Sequence, residues 1–224
     1  RAAAARAGPL KVRFSIPCEV RFNPDRVAHI TPIAPGQLVE VRVAVGDRVE
    51  RGTVVATLRS AVIGRARAAR SKAAAHMRAA QRGRARQRRL RRSGINAERD
   101  VLAAELEYAR AKADMEAARA ELSVYGAERG GGAELEIRSP LAGVVTSRHA
   151  TRGEFVDAQS ELFVVADIGQ VWVVGQAYDR HLAALSKGMQ ATVRLDAFTG
   201  RSWPGKVSFV SASLDEKTRT AGVR

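Results

Sequence analysis

Only one cysteine, Cys18, occurs in the 224 residues of this chain. An internal disulfide needs two cysteines, so no disulfide framework stabilises the fold. The sequence also lacks any stretch of about 18 or more consecutive apolar residues, which excludes a transmembrane helix within it. Proline is absent from residues 60–125, and this absence permits long uninterrupted helices there.

Acidic residues are missing from one part of the chain. The formal net charge is +15, from 38 Lys and Arg against 23 Asp and Glu. Residues 51–97 contain 14 basic residues and no acidic one, whereas residues 98–121 contain seven acidic and four basic residues. Charge is therefore segregated along the chain, rather than spread over a uniformly basic protein.

Residues 60–125 are rich in Ala, Arg, Glu and Leu, a composition that favours helix. Small or apolar residues recur at alternating spacings of four and three, which is typical of a coiled-coil seam. The predicted seam positions of the first arm are Val62, Ala66, Ala69, Ala73, His76, Ala80, Gly83, Gln87 and Leu90. Those of the second arm are Leu102, Leu106, Ala109, Ala113, Ala117, Ala120 and Val124.

The two predicted arms are separated by a break at residues 92–96. Gly94 suits a left-handed helix C-terminus, and Asn96 is predicted to cap the second arm, with Glu98 in its first turn. At 1.5 Å per residue, such a hairpin projects about 40–47 Å. Its basic first arm and acidic second arm favour antiparallel pairing.

Residues 30–58 and 137–165 follow one pattern at an offset of 107 residues. A repeat of this kind predicts two equivalent halves of one small β-unit, with the intervening residues inserted between them. The predicted turn residues of the two halves are Gly36 with Gly143, Gly46 with Gly153, and Asp47 after Gly46.

The segments GDRVERGTVVATL and IRSPLAGVV resemble biotinyl and lipoyl carrier domains. Such carriers present a modified lysine in the hairpin that joins their halves. Here that junction follows Leu58-Arg59-Ser60 and has no lysine; Lys72 and Lys112 fall within the predicted coiled coil instead. The sandwich is therefore predicted without a prosthetic group or any other cofactor.

A split lipoyl-like domain with an inserted helical hairpin is similar to the periplasmic adaptors, or membrane fusion proteins, of RND-type efflux pumps. The resemblance covers nearly the whole chain and is closest to the heavy-metal branch. Its supporting segments are Arg21-Phe22-Asn23, Arg26-Val27-Ala28, Val45-Gly46-Asp47, Val171-Trp172-Val173, Leu214-Asp215, Thr218-Arg219-Thr220 and Val223-Arg224.

This resemblance implies a mixed α and β, multidomain and elongated protein. The lipoyl-like β-sandwich is expected at residues 30–59 and 134–168, and the α-helical coiled-coil hairpin at 60–127. A partial antiparallel β-barrel is expected at residues 8–29 and 169–224, with strands near 12–22, 170–178, 190–198 and 205–213. The chain is expected to be a fragment whose membrane-proximal domain is missing or truncated.

The resemblance also implies a non-enzymatic function, because no nucleophile-elbow, zinc-protease or Walker pattern occurs. The expected partners are an inner-membrane RND-type pump, an outer-membrane channel protein and further copies of the chain in a ring, from trimer to hexamer. The expected location is the periplasm, with anchoring to the inner membrane through an N-terminal segment outside this chain. The expected cargo is a heavy-metal cation.

The hairpin tip is the predicted docking site for the channel. Adaptors that meet such channels often carry an Arg, a Leu four residues later and a Ser seven residues after that. Arg86 and Leu90 fit this motif, but Ala97 occupies the serine position. The predicted docking residues are Arg86, Leu90, Arg91, Arg92, Ser93 and Gly94.

Other functions stay open at this stage. An adaptor of an ABC-type or multidrug exporter would share the fold. The run RGRARQRRLRR suits phosphates or an acidic protein surface, but the absence of aromatic residues from 60–107 argues against a nucleic-acid partner. No metal site is assigned, because neither group of soft or imidazole ligands has metal-binding spacing. These residues are His29, His76, His149, His181, Met77, Met115 and Met189.

Overall fold

The structure is a computed structural model that describes residues 14–224. Two compact units share these residues: Arg26–Asp167, and residues 14–25 together with 168–224. The predicted barrel residues 8–13 lie outside the described range. The strands are β1 (Cys18–Phe22), β2 (Val27–Ile30), β3 (Gly36–Val41), β4 (Arg48–Val49), β5 (Val54–Arg59), β6 (Glu134–Arg138), β7 (Gly143–Arg148), β8 (Phe155–Val156), β9 (Phe163–Ala166), β10 (Val171–Tyr178), β11 (Gln190–Val193), β12 (Trp203–Lys206) and β13 (Thr220–Val223). The helices are α1 (Ala61–Arg92), α2 (Glu98–Val124) and α3 (Asp179–Leu182).

The unit Arg26–Asp167 contains a β-sandwich of two four-stranded antiparallel sheets. One sheet has the strand order β2-β9-β7-β4, and the other has the order β6-β5-β3-β8. Apolar side chains from both sheets fill the space between them, as the alternation of the strand residues requires. The largest of these buried side chains are Phe163, Leu38, Leu58, Leu162, Val55, Val145 and Val165.

The two halves of the sequence repeat are interleaved in this sandwich. The same offset of 107 residues separates the start of β3 from that of β7, and the start of β4 from that of β8. Each sheet takes two strands from the first half and two from the second. Because neither half can build a sheet alone, the repeat makes one sandwich, and the split lipoyl-like prediction is confirmed.

Gly36 and Gly143 occupy equivalent, crowded positions in the two halves. A Cβ at Gly36 would lie closer than 3.0 Å to the carbonyl oxygen of Arg59, and one at Gly143 would lie equally close to that of Ala166. Neighbouring backbone thus approaches both positions so closely that only glycine fits. Gly46 and Gly153 are needed for another reason, since both adopt positive φ angles of 95° and 87°.

Strand β2 belongs to the sandwich, whereas the sequence analysis assigned residues up to 29 to the barrel. Its four residues pair antiparallel with β9, from Val27 opposite Ala166 to Ile30 opposite Phe163. Burial of Ile30 in the sandwich core explains this placement. The guanidinium of Arg26 binds the Asp167 carboxylate at 2.6 Å, where the chain enters and leaves this unit.

The helical hairpin is inserted between two neighbouring strands. It leaves the sandwich at the end of β5 and returns at the start of β6, and these strands pair antiparallel from Val54 opposite Arg138 to Arg59 opposite Glu134. With 32 residues in α1 and 27 in α2, the helices are about 48 and 40 Å long. The predicted insertion into one continuous sheet is therefore confirmed.

The seam of α1 follows the sequence pattern closely. Ala66 and Ala80 are buried and Leu90 is half-buried, as predicted, but Ala69 and His76 are exposed. Ile63 is buried in place of its neighbour Val62. The small residues along this seam let the two helices approach closely.

The predicted seam of α2 is wrong by one residue, which corresponds to a rotation of about 100°. Leu102, Leu106 and Val124 were predicted to pack against α1, but they are 58%, 55% and 71% exposed. Two apolar patterns with the same spacing coexist in this alanine-rich helix, and the pattern that packs is the one with larger residues. Its less exposed members are Val101, Ala104, Tyr108, Ala111, Met115, Ala118 and Leu122.

The predicted helix cap at Asn96 is also wrong. Ala97 is the N-cap of α2, and the Asp100 carboxylate accepts a hydrogen bond from its backbone N–H at 3.3 Å. The side-chain amide of Asn96 instead donates to the side-chain oxygen of Gln87 at 2.7 Å, which links the turn to α1. Gly94 has φ +71°, in the left-handed conformation that its position in the turn predicted.

The second unit contains the antiparallel sheets expected of a partial β-barrel. One sheet has the order β1-β10-β13, and β11 pairs with β12. The third predicted strand lies earlier than expected, at β12 instead of 205–213. Among residues 14–224 these sheets do not close into a single barrel. Backbone N–H groups of Thr218 and Lys217 hold the pKa of the Asp215 carboxyl below its usual value, and the same bonds shape the turn before β13.

Replacing Gly143 by alanine should destabilise the sandwich. The new methyl group would collide with the Ala166 carbonyl, which cannot move without breaking the β7–β9 pairing. We expect the free energy of unfolding to fall by about 1–3 kcal/mol in urea denaturation followed by circular dichroism. Gly83→Ala is the matched control, because its Cβ meets nothing within 4 Å and alanine favours helix. Equal stability of Gly143→Ala and wild type would contradict this account.

Candidate functional site

One arginine holds the return loop of the hairpin. Arg67 lies in the second turn of α1, and its guanidinium donates hydrogen bonds to five backbone carbonyl oxygens of the segment between α2 and β6. The N···O distances run from 2.6 Å to 3.3 Å. The accepting carbonyls belong to Ala127, Arg129, Gly131, Gly132 and Glu134.

These bonds satisfy a segment that has little secondary structure of its own. Gly130 and Gly132 adopt positive φ angles of 87° and 64°, and the segment curls its carbonyl groups around the guanidinium. The planar guanidinium group presents five N–H donors in a fixed arrangement, which suits several acceptors at once. Arg67 therefore fixes the loop from the end of α2 to the start of β6 onto α1.

An apolar cluster reinforces this contact. We call it, together with Arg67 and its loop, the root of the hairpin. It joins side chains of α1 and α2 to residues of the sandwich, so the helices pack directly on the sheet from which they emerge. The buried members of the cluster are Ala34, Ile63, Ala66, Leu122, Ala127 and Leu135.

The root occupies the place where a carrier domain would present its lysine. Ser60 follows β5 directly, is fully buried, and donates its backbone N–H to the carbonyl of Ala133 at 2.8 Å. Arg59 on the same strand pairs with the Glu134 carboxylate at 3.1 Å. This junction thus contains the first turn of a helix and an ion pair, and the exposed lysine-bearing turn of a carrier is replaced.

The predicted docking residues lie together at the far end of the hairpin, but their environments differ. Leu90 is half-buried, and Gly94 forms the turn. The guanidinium of Arg91 donates to the Asn96 carbonyl at 3.2 Å and lies 3.8 Å from the Glu98 carboxylate. Leu90, Arg91 and Gly94 thus help to hold the tip in shape.

Other arginines of α1 are free to meet a partner. Two of them make contacts with α2: Arg88 binds the Glu105 carboxylate at 2.7 Å, and Arg84 lies 3.9 Å above the Tyr108 ring. Four exposed arginines near the tip form no ion pair within residues 14–224. These four, which we call the free tip arginines, are Arg82, Arg86, Arg89 and Arg92.

Sequence reasoning missed the apolar part of the tip. Ile95 is 70% exposed in the turn between the helices. Leu102 and Leu106, on the first turns of α2, are exposed as well. An isoleucine flanked by Gly94 and Asn96 in a predicted turn was the available signal, because a turn residue has no core to enter. For the leucines no such signal existed, since they fit a seam pattern.

Metal and membrane sites were sought throughout residues 14–224. As the side chains stand, no group of three or more His, Cys, Asp and Glu residues there is placed to hold a metal ion. In the same residues, neither hairpin helix is apolar enough over a sufficient length to cross a bilayer.

The interleaved sandwich, the inserted hairpin and the barrel-type sheets together define a lipoyl-like protein whose carrier turn has become a coiled coil. Family models match both parts of the chain. Residues 26–167 match the CzcB-like barrel-sandwich hybrid domain, and residues 170–224 match the CusB-like beta-barrel domain. The chain belongs to the periplasmic adaptor, or membrane fusion protein, family, in its CzcB-like heavy-metal branch.

Individual relatives agree with this assignment. The cobalt-zinc-cadmium resistance protein CzcB of Cupriavidus metallidurans is 29% identical over 97% of this chain, and the nickel and cobalt resistance protein CnrB of the same species is 30% identical over 92%. The crystal structure of ZneB from this species is 35% identical, with a TM-score of 0.66, over 94% of this chain and 89% of that chain. The chain spans 42% of the length of CzcB and 52% of that of CnrB.

Replacing Arg67 by lysine should loosen the root. A lysine has three donors on a flexible stem and cannot serve five carbonyl groups. We expect hydrogen exchange of residues 127–134 to accelerate by about tenfold or more, which corresponds to the loss of about 1.4 kcal/mol or more of protection. Arg65→Lys is the control, because Arg65 is exposed on the same helix and makes no ion pair in the described residues. Equal exchange in the two variants would show that the guanidinium does not hold the loop.

Proposed function

We propose that this chain is part of the adaptor subunit of a tripartite efflux system. It links an inner-membrane RND-type pump to an outer-membrane channel across the periplasm, and it has no enzymatic activity. The observation that carries this proposal is the long hairpin fixed to the sandwich by Arg67 and the apolar root cluster. A helical pair supported in this way can transmit contact over a distance of about 40 Å.

The proposed cargo is a heavy-metal cation. Support comes from the relatives, whose names refer to resistance against cobalt, zinc, cadmium and nickel. ZneB, at 35% identity, extends this support to a protein of which the chain covers most. Structures of other membrane fusion proteins share the fold at lower identity and do not bear on the cargo.

The tip of the hairpin is the proposed contact with the channel. The free tip arginines, with Ile95 beside them, present positive charge around one exposed apolar side chain. A partner that fits this surface offers acidic groups around an apolar recess, because opposite charges orient the contact and the apolar side chain stabilises it. Leu90 contributes by supporting the turn from the seam.

A cysteine at Ile95 should crosslink to the channel in native membranes. The experiment uses a Cys18→Ser background, since Cys18 is exposed and is the only native cysteine. We expect a tip-specific adduct with an outer-membrane protein, detected by mass spectrometry after treatment with a bifunctional reagent. Charge reversal of Arg86 and Arg89 to Glu should lower its yield at least several-fold, because the tip would then repel acidic groups.

The control places the cysteine at Ala75, which is exposed on α1 and lies more than four helical turns from Ile95. It should give no adduct with the same protein. Equal adducts from both positions, or none from Ile95 when the channel is present, would count against docking through the tip.

Self-association into a ring is the third element of the proposed function. The exposed residues Leu102, Leu106 and Val124 lie on the face of α2 turned away from α1. We assign a second copy of the chain, specifically its α1, as the occupant of this face. Charge supports the choice, because residues 51–97 carry only basic charge while residues 98–121 carry an acidic excess. Such a contact is heterologous, and repeated copies close into a ring when the rotation allows.

An aspartate at Leu106 should weaken this contact. The substitution replaces an exposed apolar side chain by a charge that would be buried in the interface, at a cost of roughly 2–3 kcal/mol, or about 30- to 100-fold in association. Sedimentation velocity of the wild-type chain and the variant measures the effect. Ile33→Asp is the control, because Ile33 is equally exposed (57%) but lies outside the hairpin. Identical sedimentation of all three proteins over a wide concentration range would contradict this interface.

A further inference from the structure

Two histidines, His29 and His149, flank one glutamate on the outer face of the sandwich. His29 lies in β2, Glu161 comes two residues before β9, and His149 directly follows β7. Because β9 is hydrogen-bonded to β2 on one side and to β7 on the other, the glutamate is placed between the two histidines. The sequence separates the three residues by up to 132 positions, so their spacing gave no signal.

The side chains already interact. The Nδ1 atom of His29 lies 2.5 Å from Oε2 of Glu161, and the Nε2 atom of His149 lies 3.8 Å from Oε1 of the same carboxylate. Ser147 Oγ is 2.9 Å from His149 Nε2. All three side chains remain more than one-third exposed, so a small ion can reach them from solvent.

The backbone fixes this arrangement from both sides. Leu162, which follows Glu161, donates its N–H to the Ile30 carbonyl at 2.9 Å and accepts a hydrogen bond from the His149 N–H at 2.9 Å. Its side chain is buried in the sandwich core. The preceding loop is held by Asp157, whose carboxylate accepts bonds from the backbone N–H groups of residues 159 and 160. The main chain that carries the three side chains is therefore well anchored.

We propose that His29, His149 and Glu161 form an open site for a divalent cation of the zinc class. His29 Nδ1, His149 Nε2 and one oxygen of Glu161 supply three ligands, and water takes the fourth position. Two imidazoles with one carboxylate suit Zn²⁺, Co²⁺ and Ni²⁺, whereas Mg²⁺ prefers oxygen ligands alone. An exposed site with an open position exchanges its ion more readily than a buried site with four protein ligands.

The cation completes the site rather than entering a finished one. Zinc bonds to histidine nitrogen and carboxylate oxygen are about 2.0–2.2 Å long, so neighbouring ligands of a tetrahedral ion lie about 3.3 Å apart. The present separations of 2.5 Å and 3.8 Å fall on either side of that value. As they stand the side chains are not a metal-ready group, and the ion must draw His149 closer. Exposed side chains change rotamer within nanoseconds, so this adjustment is readily accessible.

Titration of the chain with ZnCl₂ in a chelator-free buffer, followed by calorimetry, tests the site. A Cys18→Ser background removes the one thiol, which could also bind zinc. We expect one equivalent to bind, and His29→Ala, His149→Ala and Glu161→Gln each to weaken binding by about tenfold or more, because even groups behind the ligands contribute that much. Co²⁺ provides a second readout, since visible absorption bands of a nitrogen- and oxygen-ligated ion should appear in the parent and disappear in the variants. MgCl₂ should not compete.

The matched control is His76→Ala. His76 Nε2 lies 2.9 Å from a carboxylate oxygen of Glu107, so it is an exposed histidine–glutamate pair without a second histidine in contact. This variant should bind zinc as the parent does. Full zinc affinity in the double variant H29A/H149A, or an equal loss in His76→Ala, would overturn the site. The result is independent of the proposed export function, because binding at this face and transport through an assembly are measured separately.

Discussion

The pairing of β5 with β6 is the constraint on which the rest of this structure depends. Arg59 and Glu134 are partners in one ladder although 75 positions separate them in sequence. That pairing closes the sandwich and brings both ends of the hairpin to adjacent points. Arg67 and the apolar root cluster then convert a covalent connection into a packed joint. The proposed adaptor function follows from this joint, since a helical pair attached only by flexible linkers could not transmit contact from one end to the other.

The sandwich itself could be predicted because its repeat records a steric requirement. Gly36 and Gly143 occur at equivalent positions since neighbouring carbonyl groups exclude any side chain, and Gly46 and Gly153 since their φ angles are positive. Constraints of this kind act within a few residues or between paired strands and leave a direct trace in the sequence. The hairpin was predictable for a similar reason, as its composition and its charge segregation both extend over the full length of each arm.

The errors arise where two solutions have nearly equal local energy. In α2, alanines occupy several faces, so the choice of seam depends on which face buries Tyr108, Met115 and Leu122. That choice also decides that Leu102 and Leu106 are exposed, and it thereby creates the surface assigned to a second copy. The cluster of His29, Glu161 and His149 was out of reach for a different reason: only the strand order places these residues side by side.

The interleaving of the two halves has a consequence for how the chain folds. Strands β3 and β5 are made early, but their partners β8 and β6 lie about a hundred residues later, so the sandwich has long-range contacts that form slowly. The hairpin changes this problem, because α1 and α2 are contiguous and can associate locally. Once they do, the ends of β5 and β6 are held together and the entropy of closing that long loop has already been lost. The inserted coiled coil therefore acts as an internal template that accelerates assembly of the sheet into which it is inserted.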